Sequence, residues 1–269
     1  MTESRAPKFL RRYGPWAVVT GASDGIGREM AHWLARAGLH LVLVARRETI
    51  LQELAEEISQ AHGVETRVLA ANLAREGACE QVFEQTSDLD LGLLVACAGF
   101  GTSGPLIEAD LGREQGMVDV NCRAVLTLSL LYGRHFAAQG RGGLVLMSSL
   151  LAFQGVPRAA NYAATKAYVQ SLAEGLQQEL APLGVDVLAS APGPIHSGFA
   201  ARANMKMGFA LRPDAVAQAT FRALGRKTTV RPGWLSKFLE ASLATLPRWG
   251  RIRVLAQVMG GMTRHQRKA

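Results

Sequence analysis

Residues 16–27 read WAVVTGASDGIG, and residues 28–38 continue as REMAHWLARAG. Trp16 to Thr20 is an apolar, β-rich run. It leads straight into Gly21, Gly25 and Gly27, after which Met30, Trp33, Leu34 and Ala37 recur at helical spacing until Gly38 stops the pattern. Strand, glycine turn and helix in this order form the context that a dinucleotide fingerprint requires. Gly21 permits the tight turn, Gly25 lets backbone amides reach a pyrophosphate, and Gly27 lets the helix pack on the strand. Ser23, Asp24 and Ile26 fill the turn, and the helix N-terminus favours an anion. Glycine triplets also occur in plain αβ loops, so the motif takes its meaning from the rest of the chain.

Outward from this unit, strands and helices alternate. Strands are expected at 16–20, 39–45, 64–70, 91–97, 143–149, 185–190 and 227–230, and helices at 25–37, 47–62, 74–87, 110–139, 160–182 and 213–225. Continuously apolar strands such as LVLVA and LLVAC imply a sheet covered on both faces. Right-handed crossovers then predict an α/β fold with a doubly wound parallel sheet of the Rossmann type. A chain of 269 residues, 48% hydrophobic, suits one such domain.

Tyr162 and Lys166 lie four residues apart in NYAATK, and Ser149 stands thirteen residues before the tyrosine. Four residues is about one helical turn, so the pair shares a face. An ammonium one turn away favours the phenolate and is expected to lower the tyrosine pKa, which suits a general acid/base. On its own such a pair is more often ordinary helix surface.

Together these residues resemble the short-chain dehydrogenase/reductase family, whose fingerprint has this G-x-x-x-G-x-G spacing. Further matches fall in the family's order. Asn72 and Leu73 follow the third strand, Ala98-Gly99 the fourth, Asn121 lies in the next helix, and Pro192-Gly193-Pro194-Ile195 follows the sixth strand. The resemblance covers about residues 14–230. It implies that Tyr162 exchanges a proton with the substrate oxygen while a hydride moves to or from a nicotinamide. Lys166 would tune the tyrosine and hold the nicotinamide ribose, Ser149 would hydrogen-bond the substrate oxygen, and Asn121 would anchor a water linking Lys166 to solvent. Ile195 would present backbone to the carboxamide. The family's Asn-Ala-Gly is here Cys97-Ala98-Gly99, with Cys97 expected as a small buried residue. Ser197 stands where a cofactor-binding threonine is usual and keeps the hydroxyl.

Cofactor choice turns on LVLVARRETI. An NAD enzyme usually places an acid at the end of this second strand; this chain has Ala45, Arg46 and Arg47. A guanidinium can grip a 2′-phosphate, so NADP(H) is expected ahead of NAD(H). Asp24 stands where a second basic residue is frequent. Phe199, Met205, Met207 and Phe209, in the family's lid region, and Leu150, Leu151, Phe153 and Val156, after the serine, predict an apolar pocket. Helix packing explains the same residues equally well. The expected activity is hydride transfer between NADP(H) and a carbonyl or secondary alcohol of a bulky apolar substrate: fatty acyl, steroid-like or aromatic. The alternative is a non-catalytic dinucleotide sensor or scaffold, which would be free to lose Tyr162.

Three cysteines, an odd number with no metal spacing, indicate neither a disulfide framework nor a zinc site and suit a reducing cytoplasm. The N-terminus has no apolar signal region, and the longest uncharged stretch, 91–107, is broken by Gly, Ser, Thr and Pro. Residues 1–230 are expected to form the dinucleotide-binding and catalytic body, and 231–269 a basic amphipathic extension of the same domain. From Arg226 onward ten Lys/Arg face one acid, Glu240. Trp234, Leu235, Phe238, Leu239, Leu243 and Leu246 have amphipathic spacing, as do Trp249, Ile252, Leu255, Val258 and Met262. Packing on the core, on a partner subunit or over the substrate site is expected, with peripheral membrane contact as the second reading. No nucleic acid is expected. Apolar helices at 110–139 and 160–182 predict a homodimer or homotetramer, as in the family.

Overall fold

The computed structural model describes residues 6–196, 198–206, 210–233 and 245–268. Seven strands pair in parallel in the order β3-β2-β1-β4-β5-β6-β7: β1 (Trp16–Thr20), β2 (His40–Ala45), β3 (Thr66–Ala70), β4 (Leu91–Ala96), β5 (Gly142–Met147), β6 (Val185–Ser190) and β7 (Thr229–Val230). β4, β5 and β6 are buried along their whole length, as strands between two helical layers must be. One layer comprises α1 (Ala6–Tyr13), α2 (Gly25–Arg36), α3 (Glu48–His62) and α9 (Pro213–Ala223), packed through Leu34, Leu51 and Phe221. The other comprises α4 (Ala78–Glu84), α6 (Ala124–Gln139) and α7 (Ala160–Leu180), packed through Val82, Tyr132 and Val169. The strand order reverses between β1 and β4. A crevice therefore opens at their carboxyl ends, the usual ligand position in a doubly wound sheet.

Most expected elements form within two or three residues, and the departures have local causes. The helix expected at 74–87 begins only at Ala78, because Gly77 takes a left-handed φ of 75°. The helix expected at 110–139 is not uniform. α5 (Leu111–Val118) runs into one π-helical turn, Asp119–Arg123, before α6. Such a turn opens the helical ladder at a functional or packing position, and here it carries Asn121 inward. β5 ends at Met147, which leaves Ser148 and Ser149 beyond the sheet.

α1 was not expected from the polar, basic N-terminus. Phe9 supplies the missing anchor, with ring contacts to Tyr13 (4.7 Å), Trp33 (5.2 Å) and Phe221 (6.0 Å). Arg12 Nε and Tyr13 Oη both donate to Asp186 Oδ2, at 2.5 and 2.6 Å, and this pins the helix to β6.

The C-terminal helix, Arg248–Met262, lies over the crevice. It buries Leu255 and Met259 in a small third core with Met117, Val156, Tyr162 and Met205. Trp249, expected on the same apolar face, is instead 63% exposed with the Arg253 guanidinium 5.2 Å from its ring. At 100° per residue it lies away from Leu255. The expected amphipathic run Trp234, Leu235, Phe238, Leu239 and Leu243 falls outside the described residues, as do Met207, Phe209 and Ser197.

Candidate active site

The crevice is a cleft of about 840 Å³. Its floor is the glycine turn. Gly21 has φ 69°, and a Cβ there would stand 2.9 Å from Ala98 Cα; a Cβ on Gly27 would collide with the Gly21 carbonyl oxygen. The loop after β4 thus leaves no room for a side chain at Gly21, and close approach of the helix to the turn leaves none at Gly27. Gly25 also takes a positive φ, 53°. Asp24 stands at the N-cap of α2 without a side-chain hydrogen bond into the helix, so the first amides keep their donor capacity for an anion. This cradle fits a dinucleotide pyrophosphate.

Around the turn, the cleft is lined by Ser23, Ile26, Asn72, Leu73, Ala98 and Gly99, and on the far side by Pro192, Gly193, Pro194 and Ile195. Asn72 Oδ1 accepts from Ala74 N at 3.3 Å. The two arginines after β2 diverge. Arg46 is exposed at the rim, while Arg47 Nη2 reaches back to Ser23 Oγ and O at 3.2 and 3.3 Å. Asp24 faces the other way, with its Oδ2 3.9 Å from Arg202 of α8 (Gly198–Arg202).

At the inner end, Ser149, Tyr162 and Lys166 converge from two elements. Ser149 caps the short 3₁₀ helix Leu150–Phe153, its Oγ accepting from Leu151 N at 3.2 Å, and its side chain is near enough to the Tyr162 hydroxyl to favour the phenolate. Lys166 Nζ donates to the Met147 carbonyl at 2.7 Å and lies 5.8 Å from the Tyr162 ring centroid. Both side chains are buried, and burial decides their protonation. It pushes Tyr162 up to about 12, partly countered by the nearby Ser149 side chain, and pulls Lys166 down to about 8. The tyrosine shift is opposite to the one expected from one-turn spacing. Desolvating a phenolate costs more than an ammonium directed at a carbonyl returns.

Asn121 is fully buried on its π turn. Its Oδ1 accepts from Phe100 N at 3.2 Å, and its Nδ2 donates to Phe100 O at 2.9 Å and Thr165 Oγ1 at 3.0 Å. It therefore ties the loop after β4 to α7. Thr20, which the sequence did not single out, does similar work: its Oγ1 accepts from Cys97 N and Ala98 N, both at 3.1 Å. Burial pushes the Cys97 thiol up to about 12, which leaves it a poor nucleophile.

The outer half of the cleft is apolar. Leu150, Leu151, Phe199 and Met205 line it as expected, and Phe199 packs 5.3 Å from the Tyr162 ring. Phe153 and Val156 are not among its lining residues. Phe153 lies under the Arg231 guanidinium at 4.1 Å, and Val156 fills the third core. Val254, Leu255, Val258, Met259 and Met262 of the C-terminal helix complete the wall.

Comparison with known proteins agrees with this arrangement. The family described as short chain dehydrogenase matches residues 15–208. A 7beta-hydroxysteroid dehydrogenase from Clostridium sardiniense is 34% identical over 233 residues, 85% of this chain and 89% of that protein. A solved structure described as giving insights into 7beta-hydroxysteroid dehydrogenase stereoselectivity superposes with a TM-score of 0.85 at 30% identity, covering 92% of this chain and 98% of that one. A short-chain dehydrogenase from Sphingobium yanoikuyae in complex with NADPH gives a TM-score of 0.79 at 27% identity, covering 87% and 97%.

Proposed function

Because the chain belongs to the short-chain dehydrogenase family, we propose that its cleft carries out NADP(H)-dependent oxidation and reduction between a ketone and a secondary alcohol on a bulky apolar substrate, a steroid or an elongated acyl ketone. The observation that carries this reading is the convergence of Ser149, Tyr162 and Lys166 at the closed end of a cleft. One half of that cleft is a dinucleotide cradle and the other an apolar pocket. The relatives named above fit the same reading: one is a hydroxysteroid dehydrogenase and one holds NADPH.

The turn from Gly21 to Gly27 would hold the pyrophosphate and Arg46 the 2′-phosphate. Asn72, Leu73, Ala98, Gly99, Pro192, Gly193, Ile195 and Ser197 would contact the remainder, with Arg47 bracing the turn through Ser23. The bound cofactor supplies or accepts the hydride. Tyr162, kept neutral by burial, gives its proton to the substrate oxygen in reduction. Ser149 donates to the same oxygen as charge develops on it. Lys166 holds a positive charge beside the tyrosine, and Asn121 holds the loop and helix that position both. Phe199, Met205, Leu255 and Met259 exclude water from the reacting carbon.

Tyr162→Phe tests the reading. It removes only the proton donor, so turnover of a bulky ketone, followed by NADPH absorbance, is expected to fall about 10²–10⁴-fold while NADPH binding stays within twofold. Wild-type turnover in the variant refutes this mechanism. Binding of NADPH without turnover of any ketone or alcohol favours the non-catalytic alternative.

Residues 1–230 and 231–269 are read as one domain, with the extension closing the substrate site of the first part. We place the enzyme in the cytoplasm as a homo-oligomer. In support, all three cysteines are free, and no helix among the described residues is long and apolar enough to cross a membrane. Contact of Trp249 and its flanking arginines with a membrane surface is the secondary reading of the tail.

A further inference from the structure

Asp24 and Arg202 face each other at the mouth of the cleft. Arg202 ends α8, the short helix that also carries Phe199, and both charged residues line the cleft together with the glycine turn. Three observations give this arginine a function.

The first concerns Asp24. An aspartate at a helix N-cap ordinarily folds back to accept a hydrogen bond from a first-turn amide. Asp24 stands at the N-cap of α2 in extended backbone (φ −162°, ψ 156°) and makes no such bond. Its carboxylate turns to α8 instead. A Cβ on Gly198, the first residue of α8, would stand 2.5 Å from Asp24 Oδ2, and Arg202 Nη2, from the last residue of α8, lies 3.9 Å from the same oxygen. Both ends of α8 therefore meet one carboxylate at the edge of the anion cradle.

The second is the looseness of this pair. A separation of 3.9 Å is beyond hydrogen-bond reach, and the Arg202 and Asp24 side chains are 44% and 42% exposed. By contrast, Arg67 grips Asp88 with two bonds of 2.7 and 2.8 Å. A half-exposed pair at the longer distance contributes little, so the guanidinium exchanges readily onto a stronger acceptor, and water takes over the carboxylate.

The third is that the backbone of Arg202 is held where its side chain is not. The Arg202 carbonyl accepts from Arg113 Nη2 at 3.2 Å, the Ala203 carbonyl accepts from Ser103 Oγ at 2.5 Å, and Ala203 N donates to Phe199 O at 2.9 Å. The arginine is thus presented to the turn from a fixed position on α8, a different element from the strand end that carries Arg46 and Arg47. A pyrophosphate on the first amides of α2 would bring negative charge beside Asp24, and like charges at this range repel. A guanidinium fork that turns to the phosphate oxygens offsets that repulsion with charge-assisted hydrogen bonds.

We propose that Arg202 is a ligand of the cofactor pyrophosphate, held by Asp24 until the dinucleotide binds and then exchanged onto phosphate. The inference rests on the NADP(H) reading of the cleft and deepens it. Arg46 selects between the two dinucleotides, whereas Arg202 holds what they share.

The test uses the full-length chain without substrate. Calorimetry reads the affinity for NADPH, for NADH and for adenosine 2′-monophosphate, which has the 2′-phosphate but no pyrophosphate. Arg202→Gln is expected to weaken NADPH and NADH alike, each about tenfold, as loss of a charge-assisted hydrogen bond implies. The 2′-monophosphate is expected to stay within about twofold. Asp24→Asn is expected to tighten both dinucleotides about threefold, because it removes a competing and repelling carboxylate. Arg202→Lys keeps the charge without the fork and is expected to recover part of the loss. All three variants are expected to melt within about 3 °C of wild type without cofactor, since the pair is half-exposed. If the ion pair instead served only to latch α8 over the cleft, Arg202→Gln and Asp24→Asn would shift binding in the same direction, and that result overturns the exchange. Unchanged affinity in Arg202→Gln overturns it too, as does a loss confined to NADPH, which would move Arg202 to the 2′-phosphate. Failure of the parent reading looks different: wild type would bind neither dinucleotide, and the inference would fall with it.

Discussion

At the residue scale, burial outweighs proximity in setting protonation. Lys166 titrates near 8 in the folded chain against 10.5 when free, so between these values the unfolded chain binds more protons than the folded one. Stability due to this group therefore rises with pH across that window and is flat below it. Relative to Lys166→Met, the wild-type protein is expected to gain ~2 kcal/mol of unfolding free energy from pH 8 to pH 10, measured by urea denaturation without cofactor. A constant difference would show that the lysine is not desolvated. Arg46 makes a second prediction at this scale. It is exposed at the rim while Arg47 is drawn to Ser23, so Arg46→Asp alone is expected to flatten or reverse the NADPH preference, about 10-fold or more by fluorescence titration. Tighter NADH binding by the wild type would remove Arg46 from this role.

At the scale of elements, the C-terminal helix has two faces with different duties. Leu255 and Met259 enter the third core beside Tyr162, and Val254, Val258 and Met262 face the cleft. Below it, Lys206 N donates to the Met262 carbonyl at 3.0 Å, and Gln266 holds the Asn204 carbonyl. The helix thus fastens the segment that carries Phe199 and Met205. Removing residues 245–269 is expected to raise KM for a bulky ketone about tenfold, as loss of one or two buried Leu or Met contacts implies, with NADPH affinity within twofold. Unchanged KM with loss of binding to anionic vesicles would transfer the helix to the membrane reading.

At the scale of the whole molecule, apolar side chains remain exposed on the helices that cover one sheet face. Val118, Leu126, Leu130 and Tyr168 are between 39% and 47% exposed. Leu126 and Leu130 stand one turn apart on α6, so they form a stripe rather than scattered contacts. A dimer or tetramer through this face is expected at micromolar concentration in sedimentation, and Leu130→Arg is expected to shift it to monomer. A wild-type monomer would refute the assembly.

The fold was legible in the sequence because its signals are local. The apolar run before Gly21, the left-handed glycines and the alternation of strand and helix each follow from short-range backbone chemistry, and the parallel order follows from the crossovers. The spacing of Tyr162 and Lys166 also predicted a shared helix face, and the family resemblance implied that Ser149 joins them. The structure alone decided matters that depend on neighbours distant in sequence. The direction of the Tyr162 shift depends on how completely other elements bury it. The anchoring of α1 needs Trp33, Asp186 and Phe221. The displacement of Phe153 needs Arg231. Solvation and packing sum over the whole fold, whereas helix spacing and turn geometry do not, and that difference separates what the chain announced from what its tertiary structure settled.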